Sequence, residues 1–584
     1  MRRVASLALL VAIAAGCRKG GRALVRREKP KAAPAACMTI LSWNDLHGQL
    51  GPDDPQLDLN HVPAGGVIAL ADEIADARAG SEPVFVLDAG DLFAGPMESS
   101  LNEGAPVIDA YRVLGLDAAA IGNHEFDFGP VGYDRPIALP GKTDADGDDG
   151  PRGALLERLR EASFPFLAAN LVREGGKPTG WPNHEASVVV ERAGFRLGVV
   201  GYATKETPRT TLMPNLVGLD FETGASAAVG REIAALRAKG AAPIVLLAHA
   251  SLEGELPQSL DDGADRAAGH VGEIATLLSQ LDAKDLPDLV VAGHRHAWMV
   301  GRVRGVPIVS TDQHGIGYAK TRFCRPTPKA LPTFATLERR SAIANGPPRT
   351  ALGREVARAV APWQEKVRAE SEQTIATLPK ACVGQGPFGT AMLEQLARAT
   401  LAHAKDAEKP NDHVPIVAVV NAGGLRAPFR AGTLRNADLF AAMPFENAVS
   451  ICETTRTGLA RAIGNLVQRA TRDRFPFGLA GAKVRLVRSP TGALVVEQIA
   501  IDGDEARPPD PSKDDPVWIA LPDFLLWGGD HFLDGISCAR TATSTTRIRD
   551  AWRELLAKEQ SCSGAAANIK IEVPLDRPPM QLDE

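Results

Sequence analysis

The sequence predicts an α/β protein built from two folded parts, and three observations lead to this prediction. Residues 38–325 alternate short, continuously apolar runs with helical stretches, as is typical of strands buried in a layered α/β domain. A charged helical segment at 346–375 follows, and residues 376–575 contain a second, smaller set of strands and helices. The chain has 584 residues, 45% of them hydrophobic, which suits several domains with large cores.

Eight apolar runs of strand length are predicted in the first part. They are Thr39–Trp43, Val84–Leu87, Ala118–Ile121, Phe166–Ala169, Leu197–Tyr202, Ile244–Ala248, Leu289–Ala292 and Pro307–Ser310. Helical patterns lie between several of these runs, at Gly66–Arg78, Leu155–Glu161, Ala225–Lys239 and Val271–Leu281. Ligands of such folds bind beyond the carboxyl ends of the strands, so polar residues there are the candidates for function.

The second part, from 376 to 575, mixes strand and helix patterns. Strands are predicted at Ile416–Val420 and Val484–Val487, and helices at Gly389–His403 and Gly458–Arg469. These elements predict a smaller α+β domain, joined to the first by the helix within 346–375.

The first 37 residues carry the pattern of an export signal and a tether. Arg2 and Arg3 precede an apolar run that ends in small residues, so residues 1–16 are predicted to be a signal peptide. Residues 18–37 contain seven Lys/Arg and one Glu, and we expect a flexible basic tether that favours an anionic membrane surface. Because the net charge of the whole chain is −6, the folded part is acidic, which argues against nucleic acid as its partner.

Cys17 follows Ala-Ala-Gly and resembles the lipidated cysteine of a bacterial lipoprotein box, although Ala14 stands where that box usually has Leu. The resemblance implies a protein exported and lipid-anchored to a bacterial membrane, facing the periplasm or the cell exterior. An ordinary cleaved signal with an incidental cysteine is the alternative. In an oxidising compartment the six other cysteines favour disulfides, and Cys538 with Cys562 is the first candidate pair because both lie near the C-terminus.

Metal-binding side chains follow five of the predicted strands. They lie in Asp45-Leu46-His47, Gly90-Asp91, Gly122-Asn123-His124-Glu125, His249 and Gly293-His294-Arg295-His296. Their nitrogen and oxygen ligands favour Zn or Mn, with Co, Fe or Mg as further candidates. The series predicts a site for two divalent ions, an arrangement suited to hydrolysis of a phosphate ester.

This ordered series resembles the calcineurin-like metallophosphoesterase superfamily, whose blocks read DxH, GD, GNHE/D, H and GHxH. The resemblance implies a layered αββα sandwich over 38–345 and a water or hydroxide between the two ions as the nucleophile. It also implies a role for each ligand: Asp45, His47 and His296 on the first ion, Asp91 bridging, and Asn123, His249 and His294 on the second.

The string Gly-Asn-His-Glu-Phe-Asp-Phe-Gly resembles the 5′-nucleotidase branch of this superfamily. There His124 would face the phosphate and protonate the leaving alkoxide, and Asp127 would hold its imidazole in one tautomer. Glu125 is expected to be a structural partner of the site. His184, His270 and His314 are expected to be core residues.

Three strings in the second part resemble the NGGGxR, PFxN and FLAxGGDxF motifs of the 5′-nucleotidase C-terminal domain. The resemblance implies that Asn421 and Arg426 contact the substrate, that Phe445 and Phe524 stack on a nucleobase, and that Asp530 contacts the nucleoside. Taken singly, each Phe could instead be a core residue, and Arg426 could form a surface ion pair.

Two departures leave the substrate open. Residues 381–389 contain no arginine where related nucleotidases carry one for phosphate, and Trp527 stands where they have a small residue. A 5′-nucleotidase-like phosphohydrolase is the leading prediction. The alternatives are 2′,3′-cyclic nucleotides, UDP-sugars or sulfur-containing esters as substrates, or a catalytically silent binding lipoprotein.

Overall fold

The computed structural model describes most of the chain after residue 35. The described residues are 26–27, 36–51, 56–57, 62–132, 150–221, 223–253, 272–382, 390–407, 413–468, 477–489, 494–501, 505–562 and 569–572. The predicted signal peptide, Cys17 and His270 lie outside them. Among the helices in these ranges, none is both long enough and apolar enough to span a bilayer.

Two seven-stranded sheets form the N-terminal part. One has the strand order Arg26–Arg27, Ser187–Arg192, Phe195–Ala203, Ile244–His249, Leu289–Ala292, Val306–Ser310 and Met299–Val303. The other has the order Thr333–Ser341, Gly317–Cys324, Cys37–Trp43, Val84–Asp88, Ala118–Ala120, Phe166–Leu167 and His184–Glu185. The central neighbours in each sheet pair in parallel, so their carboxyl ends meet at one edge.

The two sheets pack face to face and are covered by helices on their outer faces. Ile40 and Phe85 of one sheet meet Leu197 and Leu247 of the other in a shared apolar core. Val67–Arg78, Ala105–Leu114 and Gly153–Glu161 cover one outer face, and Ala225–Ala238 and Glu273–Gln280 cover the other. The predicted layered αββα sandwich is therefore confirmed.

All eight predicted apolar runs are strands, with ends shifted by up to two residues. The prediction missed the outer strands Ser187–Arg192, Gly317–Cys324 and Thr333–Ser341. Most side chains of Thr333–Ser341 are exposed or half-buried, so this edge strand lacks the continuous apolar run of a central one. Short elements complete this part: the helices Met97–Ser100 and Thr207–Thr210, and the strands Gln56–Leu57, Pro63–Ala64, Val172–Arg173 and Leu219–Asp220.

A long helix, Ala351–Ser371, leads to the second part. Thr350 caps it by accepting a hydrogen bond from the Gly353 amide at 3.0 Å, and the buried Val356 and Val360 pack it against the N-terminal sandwich. The predicted domain limits at 345, 375 and 575 stay predictions.

The second part is an α+β unit around a five-stranded sheet. The strand order is Phe477–Ala480, Ile416–Asn421, Pro516–Pro522, Ala448–Thr455 and Arg540–Arg547. A three-stranded sheet of Leu494–Ile501, Ala482–Arg488 and Ile569–Glu572 and a pair of Thr374–Leu378 with Gly432–Arg435 accompany it. The helices are Thr390–Ala402, Asn436–Ala442, Arg456–Val467, Asp523–Leu526 and Ile548–Glu559.

The disulfides correct one prediction. The bonds join Cys37 to Cys324 and Cys452 to Cys538, so the pairing of Cys538 with Cys562 was wrong. Cys37 and Cys324 are directly opposite each other on neighbouring strands, whereas Cys562 is buried as a free thiol in the core that also holds the free Cys382. Closeness in sequence was therefore a poor guide to pairing.

Part of the predicted flexible tether, residues 17–37, lies within the described residues, and the tether as a whole stays a prediction. Arg26–Arg27 pair in parallel with Val190 and Glu191 at the edge of a sheet, and Cys37 begins a strand. A sheet edge offers unpaired backbone N–H and C=O groups, which can hold a passing segment whatever its side chains are.

Candidate active site

The seven predicted metal-binding side chains lie at the edge where the carboxyl ends of both sheets meet. Asp45, Asp91 and Asn123 follow three neighbouring strands of one sheet, while His249 ends one strand of the other sheet and His294 follows its neighbour. Five of the seven are buried, and His294 and His296 are half-buried. The packing of the two sheets thus places the rings of His47 and His296 side by side, although 249 positions separate them in the chain.

The loops that carry these side chains are locally strained. Asp45, His47, Asp91, His294 and His296 all have positive φ angles, between 47° and 75°. Left-handed backbone is unfavourable for residues with a Cβ by about 1–3 kcal/mol each, and such strain clusters at functional sites. The surrounding fold must hold these loops in place.

Two glycines of the motifs are required by close packing. A Cβ on Gly122 would lie 2.2 Å from Oδ1 of Asp91. A Cβ on Gly90, whose φ is 96°, would lie 2.9 Å from Nδ1 of His249. The Gly-Asp and Gly-Asn pairs thus let neighbouring strand ends approach each other.

The donor atoms form two groups that share Asp91. Ligand atoms of Asp45, His47, Asp91 and His296 lie within 4.8 Å of one another, and so do those of Asp91, His249 and His294. Asn123 joins the second group, because its Oδ1 lies 3.1 Å from Nε2 of His249. The resemblance assigns the same residues to two ions, and that assignment stays a prediction.

These side chains fit two divalent cations. Asp91 Oδ2 is buried and makes no hydrogen bond to any described residue, although Nε2 of His249 lies 3.0 Å away and Nε2 of His47 lies 3.8 Å away. Nε2 of His47 also faces Nε2 of His296 at 3.0 Å. Buried carboxylate oxygens and imidazole nitrogens that point at each other are the donor set of a metal centre.

Backbone carbonyls orient two of the imidazoles. Nδ1 of His47 lies 3.1 Å from the Ala94 carbonyl, and Nδ1 of His249 lies 2.9 Å from the Ala89 carbonyl. A carbonyl oxygen only accepts, so Nδ1 carries the proton and donates it. This leaves Nε2 of each ring as the donor atom for a cation.

The carboxylates of the cluster stay ionised. Burial alone would raise the pKa of Asp45 and Asp91, but neighbouring imidazoles outweigh it and hold both pKa values well below their ordinary range. Burial likewise opposes a charge on His249, yet Asp91 and Asp45 raise its pKa to about 10. Burial, with a contribution from His249, lowers the pKa of His294 to about 3.

Glu125 ties two of the loops together, as the sequence predicted for a structural partner. Its carboxyl group accepts hydrogen bonds from the backbone amides of Asp91 at 3.0 Å, Leu92 at 2.6 Å and Gly122 at 2.6 Å. Burial, together with the charge of Asp91, raises its pKa to about 8. Glu125 therefore holds the backbone that presents Asp91 and Asn123.

His124 and Asp127 form the predicted pair. Nδ1 of His124 lies 2.7 Å from Oδ2 of Asp127, and the Thr211 hydroxyl donates to Oδ1 of the same carboxylate at 2.8 Å. Nε2 of His124 points toward the metal-binding cluster and lies 4.0 Å from Oδ2 of Asp91. The pair is placed to move a proton at Nε2.

A cleft of about 490 Å³ joins this site to the second part of the chain. Arg426 reaches across it, with Nη2 3.0 Å from Nε2 of His124, and its guanidinium lies 5.0 Å from the ring centre of Phe445. Phe445 stacks on the imidazole of His124 at 5.4 Å and 27°. Arg426 is thus part of the cleft rather than a surface ion pair.

All five predicted substrate residues line the cleft: Asn421, Arg426, Phe445, Phe524 and Asp530. The Asn421 amide donates to Oδ2 of Asp530 at 2.7 Å, and Asp530 has a positive φ of 50°. The ring of Phe524 packs on Gly529, where a Cβ would lie 2.5 Å from the ring. Neither Phe is fully buried, which leaves faces open to the cleft.

One histidine was misassigned from sequence. His314 was expected to be a satisfied core residue, but it is half-buried beside the metal-binding cluster, with its ring 6.1 Å from that of His47. Its Nδ1 is buried without a hydrogen bond among the described residues, and its φ is 61°. The signal was available, because His314 follows the strand Val306–Ser310 as the other site residues follow theirs. His184, also expected in the core, is half-buried as well, with Nδ1 2.7 Å from the Thr179 hydroxyl and Nε2 without a hydrogen bond among the described residues, but it does not line the cleft.

The segment around the short helix Thr207–Thr210 also contributes to the site, and no motif pointed to it. The Thr210 carbonyl accepts from the Asn123 amide at 3.2 Å, and Thr211 holds Asp127. Arg209 donates to the Gly528 carbonyl of the second part at 3.1 Å. These residues support the site through long-range contacts that the local sequence does not predict.

Comparisons with known proteins agree with this arrangement. Residues 372–535 match the family model of the 5′-nucleotidase C-terminal domain. The chain is 25% identical over 520 residues to a 5′-nucleotidase of Bos taurus, a match covering 85% of this chain and 84% of the other. It is 26% identical over 572 residues to a probable 5′-nucleotidase of Treponema pallidum, covering 88% and 90% of the two chains.

The fold has a counterpart among solved structures. The crystal structure of a 5′-nucleotidase precursor from Thermus thermophilus superposes with a TM-score of 0.69 at 20% identity, covering 93% of this chain and all of the other. Both parts are therefore shared in the same order. Residues 372–535 therefore form a 5′-nucleotidase C-terminal domain, and the chain is similar to 5′-nucleotidases over most of its length, with the same order of parts in the fold.

Proposed function

We propose that this protein is a two-metal phosphohydrolase that releases phosphate from nucleotides. The observation that carries the proposal is the shared cleft, which places the Asp/His cluster, Arg426 and two open aromatic rings around one space. A phosphate at the cluster would have its nucleoside within reach of the second part. A binding protein would have no need for the buried metal-type donors beneath that space.

The cluster would hold the two ions through the groups described above. Bound there, divalent cations neutralise phosphate charge and lower the pKa of water to near neutrality. The ligands would be Asp45, His47 and His296 for one ion, Asn123, His249 and His294 for the other, and Asp91 for both.

The remaining residues bind the substrate and move a proton. Arg426 offers a planar pair of donors to phosphate oxygens. Nε2 of His124 accepts from Arg426 in the free site; once Arg426 has turned to phosphate, Nε2 would carry a proton to the leaving oxygen, while Asp127 stabilises the protonated imidazole. Phe445 and Phe524 would hold the base, and the pair of Asn421 and Asp530 would meet the hydroxyl groups of the sugar.

We also propose that the protein is exported and anchored through a lipid on Cys17. Two disulfides, Cys37–Cys324 and Cys452–Cys538, support an oxidising compartment. Incorporation of a labelled fatty acid, compared between the natural chain and Cys17→Ser, tests the anchor. Equal labelling of both chains would reject it.

A substrate panel with metal analysis tests the activity. Purified protein loaded with Zn or Mn should bind about two ions and release phosphate from AMP and from an aryl phosphate. Chelation should remove the activity, and Asp91→Asn should lower it about a thousandfold or more. The exposed Asp282→Asn is the matched control and should behave as the natural chain.

The same panel includes a 2′,3′-cyclic nucleotide, UDP-glucose and a sulfur-containing ester. A preference for one of these over AMP would change the proposed substrate class, and the proposed metal chemistry would stand. A metal-loaded protein inert toward every ester would overturn the proposal and favour a binding function.

A further inference from the structure

Arg295 lines the cleft but has no role in the proposed reaction. It stands between His294 and His296, in the loop after the strand Leu289–Ala292, and it lines the cleft. Its side chain is exposed, and across the described ranges no hydrogen bond or ion pair engages its guanidinium. A planar cation with five donors is therefore held at the cleft without a partner.

The two guanidinium groups of the cleft lie at different depths. Arg426 is the inner one, because its side chain is half-buried and its Nη2 lies 3.0 Å from Nε2 of His124. Arg295 is the outer one, because its side chain is exposed although its backbone lies between two residues of the metal-binding cluster. A phosphate seated at the cluster and Arg426 would leave Arg295 free for a group farther out.

Carboxylates of the cleft do not neutralise Arg295. Asp127 is engaged by His124 and Thr211, and Asp530 by Asn421. Glu446 forms ion pairs with Arg547, at 2.7 Å, and with Arg549. The acidic groups that line the cleft outside the metal-binding cluster thus already have partners, and the charge of Arg295 is available to a ligand.

We propose that Arg295 binds a second anionic group of the substrate, beyond the phosphate at the metal centre. The substrate class it selects is a nucleoside diphosphate or another ester with two adjacent phosphate groups. In that reaction water forms a bond to the terminal phosphorus, the bond to the bridging oxygen breaks, and the nucleoside monophosphate leaves with that oxygen. This inference rests on the proposed function and specifies its substrate.

The test compares ADP, AMP and an aryl phosphate on the natural chain and on Arg295→Gln. A charge-assisted contact supports about a tenfold or larger fall in kcat/KM for ADP. The variant should keep kcat/KM for AMP and the aryl phosphate within about twofold, because their one phosphate lies at the inner cation. Arg295→Lys should recover part of the ADP activity, since it restores charge without the planar fork.

Two further readouts separate binding from catalysis. Titration calorimetry with inorganic pyrophosphate should show weaker binding to Arg295→Gln than to the natural chain, with inorganic phosphate unchanged. Metal content should be the same in both proteins. Arg231→Gln, an exposed position on the helix Ala225–Ala238, is the control and should change neither measurement.

The possible failures are distinguishable. If the natural chain hydrolyses phosphate esters and Arg295→Gln keeps the same ADP-to-AMP ratio and pyrophosphate affinity, the assignment to Arg295 is wrong and the proposed function stands. If the metal-loaded natural chain hydrolyses no ester, the proposed function is wrong. An equal loss on all substrates would make Arg295 part of the metal centre and would also overturn the assignment.

Discussion

The cleft has a metal side, formed by the Asp/His cluster with His124 and Asp127, and a substrate side, formed by the five predicted substrate residues. The two sides are built in different ways. Most side chains of the metal side are buried at strand ends, on loops with positive φ angles, and carboxyl or carbonyl groups within the sandwich fix their orientation. Of the five predicted substrate residues only Asn421 is buried, and all five come from the second part of the chain. The metal side is preorganised by its own core, whereas the substrate side depends on how the two parts meet.

Among the described residues, two arginines make hydrogen bonds that join the two sides near the cleft, and His531 lies 3.7 Å from Glu206 beside them. Arg426 bonds to His124 at 3.0 Å, and Arg209 bonds to the Gly528 carbonyl at 3.1 Å and pairs with Asp534 at 3.3 Å. A small apolar cluster of Met97, Val367 and Phe440 lies farther along the helix between the parts. Exposed ion pairs contribute about 0–1 kcal/mol each, so we expect the substrate side to be the easier one to disturb.

The largest effect is expected from a change on the metal side that leaves the metals in place. Asp127→Asn should lower kcat about a hundredfold for an alkyl phosphate, because His124 loses the carboxylate that stabilises its protonated form. With p-nitrophenyl phosphate the loss should be smaller, since its leaving group needs little protonation. Steady-state kinetics with both esters, together with metal analysis, checks this.

Asp109→Asn, on the outer helix Ala105–Leu114, is the control for Asp127→Asn. It should retain both activities. Equal losses with the two esters would contradict proton transfer by His124 and would point to a role of Asp127 in binding.

The metal side could be predicted from sequence because its information is local. Each ligand lies at the end of an apolar strand or within four residues after it, and the packing of the two sheets brings the carboxyl ends of these parallel strands together. The same rule, applied to the strand Val306–Ser310, would have drawn attention to His314. It was missed because a single histidine in a polar loop has no second motif residue beside it.

The rest of the site depends on contacts between distant residues. Arg209 and Gly528 are 319 positions apart, and Thr211 and Asp127 are 84 apart. Neither hydrophobic periodicity nor the spacing of residues along the chain predicts such pairs. For the same reason the antiparallel edge strands and the disulfide partners were missed, since both depend on which strands become neighbours rather than on their own composition.

A smaller effect is expected where the two sides meet. Arg209→Ala removes the bond to Gly528 and the ion pair with Asp534, so the loop that carries Asp530 loses two of its contacts with the first part and keeps the one between His531 and Glu206. We expect kcat/KM for a nucleotide to fall about tenfold and kcat for an aryl phosphate to stay within about twofold. Kinetics and small-angle scattering measure the two consequences, because weaker docking should also increase the radius of gyration.

Arg231→Ala on an outer helix is the matched control for Arg209→Ala. An equal fall for nucleotide and aryl phosphate would show that Arg209 acts on the metal side, through Thr210 and Asn123, and would contradict the division between the two sides.

The last effect concerns the stability of the substrate side rather than its activity. Asp523 begins the short helix that carries Phe524 and accepts from the Asn447 amide at 3.0 Å and the Phe524 amide at 2.8 Å. Burial raises its pKa to about 7, from 3.8 for an ordinary aspartate. Between about pH 4 and 7 the folded protein therefore keeps a proton that the unfolded chain has lost, and the free energy of unfolding falls as the pH rises.

Asp523→Asn cannot titrate and should lack this decline. From pH 5 to pH 7 the natural chain should lose on the order of 2 kcal/mol relative to the variant, and above pH 7 the difference should level off, because both states are then ionised. Urea unfolding at pH 5, 6, 7 and 8 measures it, with the exposed Asp282→Asn as the control. Parallel curves for Asp523→Asn and the natural chain would show that Asp523 is already ionised at pH 5. The substrate side would then have a charged carboxylate beneath Phe524, as firmly fixed by its hydrogen bonds as the carboxylates of the metal side.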